Sequence, residues 1–216
     1  MSLHAGWDYG FRSTEKPYRT DVTMIDIEWQ RPDIRRHVAA VAKHRPWIAV
    51  CPDVTAADQW DDRINLAYEL HRMGAQNVMM VPKVTPWRLP DEPWIVLGYP
   101  VGVGETSVCP FATMASGWPI HLLGGTITGQ LRAMMHFGAG RVISGDQSAH
   151  TKAARFGNRY HVGGRRIQSA VMPPGMTGRE RLHRDIRDSF VGIRECWDRQ
   201  AHDVAPRFIS MLSVIA

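Results

Sequence analysis

The sequence predicts an α/β fold, a (β/α)8 TIM-like barrel in compact or partly trimmed form, and three observations predict it. Short apolar runs alternate with segments of helical periodicity, a spacing that calls for parallel pairing through right-handed crossovers. The runs are apolar on both faces, as strands covered by helices on each side must be. Six good strands and one weak one suit a barrel slightly better than an open sheet, and 216 residues fall short of the roughly 250 typical of a full barrel. At 44% hydrophobic, the chain can bury one core, so residues 1–216 are expected to form a single domain.

The elements follow in order. Leu3 to Tyr9 is the weak first strand, and Val22 to Trp29 (VTMIDIEW) is a better one, with Asp26 set inside it. Pro32 tolerates a first helical turn, after which Ile34, Val38 and Val41 recur at helical spacing through His44. Trp47 to Cys51 is a buried-type strand that ends at Pro52 and Asp53. Thr55 and Asp58 resemble a capping box opening a helix through Trp60, Ile64, Ala67 and Leu70, closed by Gly74. Asn77 to Pro82 runs into Lys83, and after a Trp/Pro-rich loop Trp94 to Gly98 makes the next strand. Ile120 to Leu123 ends at Gly124 and Gly125, and a helix through Leu131, Met134 and Met135 leads to the Val142-Ile143 strand and a Ser-Gly-Asp corner at Asp146. Beyond it, Tyr160 to Ala170 reads as a β-hairpin around Gly163-Gly164, and Arg179 to Gln200 as an amphipathic C-terminal helix with Leu182, Ile186, Phe190, Ile193 and Trp197 on one face.

Composition narrows the function. No run of about 18 apolar residues and no charged-then-apolar start predicts a membrane span or a signal peptide, so a soluble, cytoplasmic protein is expected. Three scattered cysteines fit neither a disulfide framework nor paired zinc ligands. The net charge is +5, and its excess is local: residues 141–199 carry 12 Lys and Arg against 6 Asp and Glu, while the rest of the chain carries 14 against 15. A basic surplus beside one strand end suits a polyanion, although a solvated basic face has the same composition. The ten histidines form no H-E-x-x-H or similar pair, and neither a metal nor a cofactor is expected. The GVGETS segment at residues 102–107 has Glu105 where a phosphate-binding loop needs lysine.

What remains is a set of polar residues at strand ends: Asp26, Asp53, Lys83 and Asp146. Parallel neighbouring strands would converge them over one mouth, where carboxylates in different environments can divide nucleophilic and acid/base work. Each also has a plain structural reading. Asp146 or Asp53 could cap the following helix, and Lys83 could be a solvated loop residue. Asp26 is the least easily dismissed, because a carboxylate inside an apolar strand needs a partner or a task.

From about Asp26 to Ala170 the order and local context of these residues resemble the tRNA-guanine transglycosylases, and within them the shorter, phage-type DNA deazapurine transglycosylases of the DpdA kind. IHLLGGTITGQLRAMMHFGAGRVISGD is similar to the family stretch that ends at its nucleophile, which puts Asp146 in that position. The resemblance makes Asp26 the acid/base. It assigns Asp53, Lys83 and the Gly98-Tyr99 turn to the purine edge, with Gly124 and Gly125 also at the base. HTKAARFGNRYHVGGRRIQ resembles the family's basic turn and hairpin, so Lys152, Arg155, Arg159, Arg165 and Arg166 would grip phosphates.

Three departures are plain. Asp26 is followed by Ile27, Glu28 and Trp29 rather than Ser-Gly-Gly, Lys83 replaces a Gln, and the C-terminal Cys/His zinc motif is missing. Loss of the zinc-supported platform tilts the expected substrate from tRNA to DNA. The resemblance therefore implies exchange of guanine in DNA for a 7-deazaguanine base such as preQ0, and a homodimer is compatible with it. The same exchange on tRNA, a non-catalytic nucleic-acid-binding subunit, and a barrel enzyme acting on a small phosphorylated metabolite are the alternatives.

Overall fold

The computed structural model describes residues 8–15, 17, 20–28, 30–101, 117–138, 140–147, 158–160, 166–168, 175–178, 180–181, 184–185, 188–189, 191–192, 195 and 207–211. Strands β2 (Met24–Asp26), β3 (Ile48–Val50), β4 (Asn77–Met80), β5 (Ile95–Pro100), β6 (Ile120–Leu123) and β7 (Val142–Gln147) lie side by side in chain order as a curled, all-parallel sheet. β1 (Asp8–Arg12) pairs with β2, β10 (Arg207–Met211) pairs with β7, and the two pair with each other, so the ring closes. β8 (Asn158–Tyr160) and β9 (Arg166–Gln168) form a separate antiparallel pair at the predicted hairpin.

The expected (β/α)8 barrel is overturned by the helices. Among the described residues, which include further helical ones between 178 and 195, three α-helices lie in the connections of the half-barrel of β2 to β7: α1 (Ile34–His44), α2 (Trp60–Arg72) and α3 (Ile127–Phe137). They follow β2, β3 and β6. The β4–β5 connection, residues 81–94, carries Pro82, Pro86, Pro90 and Pro93. Each proline removes a backbone donor and clashes with the preceding turn, so no helix forms there. The described first strand meets the expected Leu3 to Tyr9 at Asp8 and Tyr9 and runs on to Arg12, residues 3–7 lying outside the described ones, and β10 has no counterpart among the predicted strands.

Period-two alternation sorts the sheet's side chains. Met24, Ile48, Val50, Met79, Val81 and Val96 point inward and pack together. Ile25, Ala49, Cys51, Val78, Met80, Ile95 and Leu97 belong to an outer layer with α1 and α2 residues such as Val41, Leu66, Ala67 and Leu70. Tyr99, Ile120, Leu122 and Val142 meet Ile127, Ala133, Met134 and Phe137 of α3. Helix starts use local acceptors: Asp33 takes the Arg36 N–H at 3.0 Å, and Thr126 takes that of Gly129 at 3.0 Å. At the predicted Thr55/Asp58 box it is Gln59 that caps, its Oε1 accepting from Thr55 N–H and Ala56 N–H ahead of the 3₁₀ turn Ala57–Gln59.

The hydrophobic face foreseen for residues 179–200 falls on Leu182, Ile186, Phe190, Ile193 and Trp197, outside the described residues. The described residues between 178 and 195 are helical, and Asp185 and Ser189 are buried among them.

Gly98 faces the interior of the sheet. A Cβ there would stand 2.6 Å from Val81 Cγ2 and 3.0 Å from both Leu123 and Met79. Gly98→Ala should therefore destabilise the fold by about 1–3 kcal/mol, the usual cost of overpacking. A urea midpoint equal to that of the unaltered chain would show that this layer has slack.

Candidate functional site

Because the strands are parallel, their C-terminal ends share one rim, and polar residues gather there. Asp26 closes β2, Asp53 follows β3, Lys83 follows β4, Gly124 follows β6, and Asp146 lies near the end of β7. The ends of β3 and β4 stay tied beyond the strands, with Val54 N–H donating to Val81 O and Lys83 N–H to Val54 O. That tie sets Lys83 Nζ 3.7 Å from Asp53 Oδ2.

Asp146 is not in a corner, as expected from Ser-Gly-Asp, but inside a strand. The β6–β7 register pairs His121 with Ser144, and the i, i+2 rule puts Asp146 on the same face as Ser144. The carboxylate of Asp146 reaches sideways to β6. Its Oδ1 accepts from Gly124 N–H at 3.0 Å and lies 3.2 Å from His121 Nε2, while Ser144 Oγ sits 2.7 Å from His121 Nδ1. Among the described residues no donor reaches Oδ2. The Asp146 side chain keeps 16% of its surface exposed, whereas His121 and Ser144 are fully buried. Ser144 thus cannot meet a substrate, and the outward end of this Ser–His–Asp chain is the carboxylate.

Gln130 of α3 fixes the backbone around the carboxylate. It is fully buried, and its Nε2 donates to the carbonyls of both Gly124 and Asp146 at 2.8 Å. Gly124 adopts φ +54° and Gly125 φ +77°, where side chains are strained, and a Cβ on Gly125 would lie 2.4 Å from Val101 O. The two glycines therefore make the turn that aims the Gly124 N–H at Asp146.

Asp26 occupies a different environment. Its Oδ1 accepts the Ile27 N–H at 2.8 Å, and the Arg12 guanidinium stands 4.0 Å from Oδ2 while also pairing with Glu28. Burial pushes its pKa up from 3.8 to about 7, and the negative charge of Asp146 adds to the rise. The Ile27 N–H and Arg12 oppose that rise and Asp53 contributes to it, so the three rim carboxylates share one field. Asp53 is itself raised, by burial, with Lys83 acting against the shift.

The other predicted residues divide. Gly98 contributes space to the interior layer. The Tyr99 ring turns outward onto Phe137, centroids 4.9 Å apart at 75°, so only its backbone belongs to the sheet interior. Lys152, Arg155 and Arg165 lie outside the described residues. Arg159 and Arg166 are described through their backbone alone, in β8 and β9.

His121, Ser144 and Gln130 escaped sequence reasoning. The available signal was a histidine at an inward position of an otherwise apolar strand, two residues before Leu123. Burying an imidazole and a hydroxyl costs on the order of 1–3 kcal/mol each unless they are paired, which favours apolar residues wherever packing alone decides.

No helix among the described residues is long and apolar enough to cross a membrane. No curated protein and no solved structure matches the chain. Residues 2–198 match DUF6610, a family of unknown function, and the chain belongs to that family.

Proposed function

We propose that this chain is a transglycosylase that exchanges guanine in DNA for a 7-deazaguanine base, preQ0 or a relative, through a covalent aspartyl-nucleotide intermediate. The observation that carries the reading is the pair of unlike carboxylates at one rim: Asp146 anchored through one oxygen, and Asp26 lifted to about 7. Such a split is what a nucleophile and an acid/base partner require.

A target nucleotide turned out of the stack, at a cost of a few kcal/mol, would bring its C1′ to Asp146. The carboxylate oxygen bonds to C1′, the C1′–N9 bond breaks, and the departing guanine takes the proton of Asp26. The incoming base then gives its N9 proton to Asp26, and its nitrogen displaces Asp146 from C1′. The route consumes no oxidant and needs no cofactor. The Asp53–Lys83 pair offers an acceptor and a cationic donor to a purine edge, and the basic excess in residues 141–199 supports a sugar–phosphate partner. The cytoplasm of a bacterium or a phage-infected host is where this substrate lies.

The test is incubation of the protein with duplex DNA or tRNA and labelled preQ0, followed by mass analysis of the nucleosides. Label in DNA is the expected result. Label confined to tRNA would move the same chemistry to the other polymer. Salt-sensitive DNA binding without label in either would make the chain a binding subunit.

A further inference from the structure

The contacts behind Asp146 have a direction. A neutral imidazole carries one N–H, and an ionised carboxylate can only accept. The 3.2 Å contact between His121 Nε2 and Asp146 Oδ1 is a hydrogen bond when Nε2 bears the proton. Nδ1 is then bare and accepts at 2.7 Å from the Ser144 hydroxyl. The opposite tautomer would set a lone pair of Nε2 against a carboxylate oxygen. With His121 and Ser144 fully buried, no water competes for either role. The Gly124 N–H supplies a second donor to the same Oδ1, and Gln130 holds the backbone on either side.

Resting on the exchange reading, we propose that Ser144 and His121 are positioning residues. The Asp146 carboxylate selects the Nε2–H tautomer of His121, Ser144 holds the ring by donating to the bare Nδ1, and His121 pins Oδ1, so that Oδ2 is the atom that bonds to C1′ as the C1′–N9 bond breaks and the base leaves with the Asp26 proton. Neither residue touches substrate. Their contribution is the aim of the attacking oxygen, and an error of about 1 Å there can cost 100-fold in rate.

The tautomer is read on the full chain by long-range ¹H–¹⁵N correlation of the histidine rings, with His121 assigned by its absence in His121→Gln. The expected wild-type spectrum has a protonated Nε2 and a bare Nδ1, and Ser144→Ala, in which the carboxylate still faces Nε2, should keep that tautomer. In the exchange assay, His121→Leu fills the space without a donor and should lose about 100-fold in kcat with KM for DNA unchanged. His121→Gln places an amide N–H near the position of Nε2–H and should retain activity within about tenfold of wild type. That rescue separates aiming from mere packing, with thermal melts checking that each variant is folded.

A wild-type ring protonated on Nδ1, alone or together with Nε2, overturns the proposal. So does a folded His121→Leu variant with wild-type kcat, or a folded His121→Gln as impaired as His121→Leu. If the tautomer is as stated and wild-type protein never incorporates a base, the exchange reading fails while the pinned carboxylate stands.

Discussion

Asp146→Asn is expected to abolish base exchange and, with it, the denaturant-resistant protein–DNA adduct. The substitution is nearly isosteric, and the amide oxygen can still accept from the Gly124 N–H and from His121 Nε2–H, the two donors that hold Oδ1 at 3.0 and 3.2 Å. The fold should therefore survive, with a melting temperature close to that of the unaltered chain. An amide is not a nucleophile at C1′, and removing one member of a covalent catalytic set typically costs about 10⁴-fold or more. The rate of label incorporation and a denaturing gel of the adduct check both halves. Incorporation at the wild-type rate, or an undiminished adduct, would place the nucleophile elsewhere. Asp146→Ala gives a useful contrast. It strands the buried His121 donor, at about 1–3 kcal/mol for an unsatisfied group, and the half-buried Gly124 N–H, and should lower stability as well as activity.

Much of this site was legible because strand ends can be read from sequence. Apolar runs stop at Cys51, Pro82 and Leu123, and Asp53, Lys83 and Gly124 follow at those places in the structure. The parallel pairing was legible for the same reason, from the alternation of runs with helical periods. The helix count was not: a (β/α)8 expectation assumes a helix after every strand, whereas the prolines of residues 81–94 forbid one, and the strands β1 and β10 that close the sheet are drawn from segments with weak patterns. Asp146 was identified, but its setting was not. A Ser-Gly-Asp string reads as a turn, and pairing on both sides, His121 with Ser144 across β6 and β7 and Ile209 with Asp146 across β10 and β7, keeps it in the strand. Contacts between residues 20 or more apart, such as His121 and Gly124 to the Asp146 carboxylate, follow from topology and have no local signature.

Asp26→Asn should make the protein less active and, above neutral pH, more stable. The pKa of Asp26 in the fold is about 7, against 3.8 for the free side chain, with burial the main cause and Asp146 the second. The folded state thus binds more protons than the unfolded chain between about pH 4 and pH 7, and by linkage its stability falls as pH rises through that window. Above pH 7 the full cost of the buried charge is present. A shift of three units corresponds to about 4 kcal/mol, an upper limit because 27% of the side chain remains exposed. Asparagine carries no such charge and can keep the Ile27 N–H bond. Its melting temperature should exceed wild type by several degrees at pH 8, at about 2–4 °C per kcal/mol for a chain of this size, and the gap should close toward pH 4. Exchange should fall by about 10²–10⁴-fold, because Asp26 both protonates the departing base and deprotonates the incoming one. The same two duties should give the wild-type rate an optimum near pH 7. Equal melting temperatures at pH 8 would show that Asp26 ionises normally, and an Asp26→Asn enzyme with wild-type turnover would remove it from the reaction. A side chain whose loss strengthens the fold and silences the reaction is one held at the rim for chemistry, since packing alone would favour its replacement.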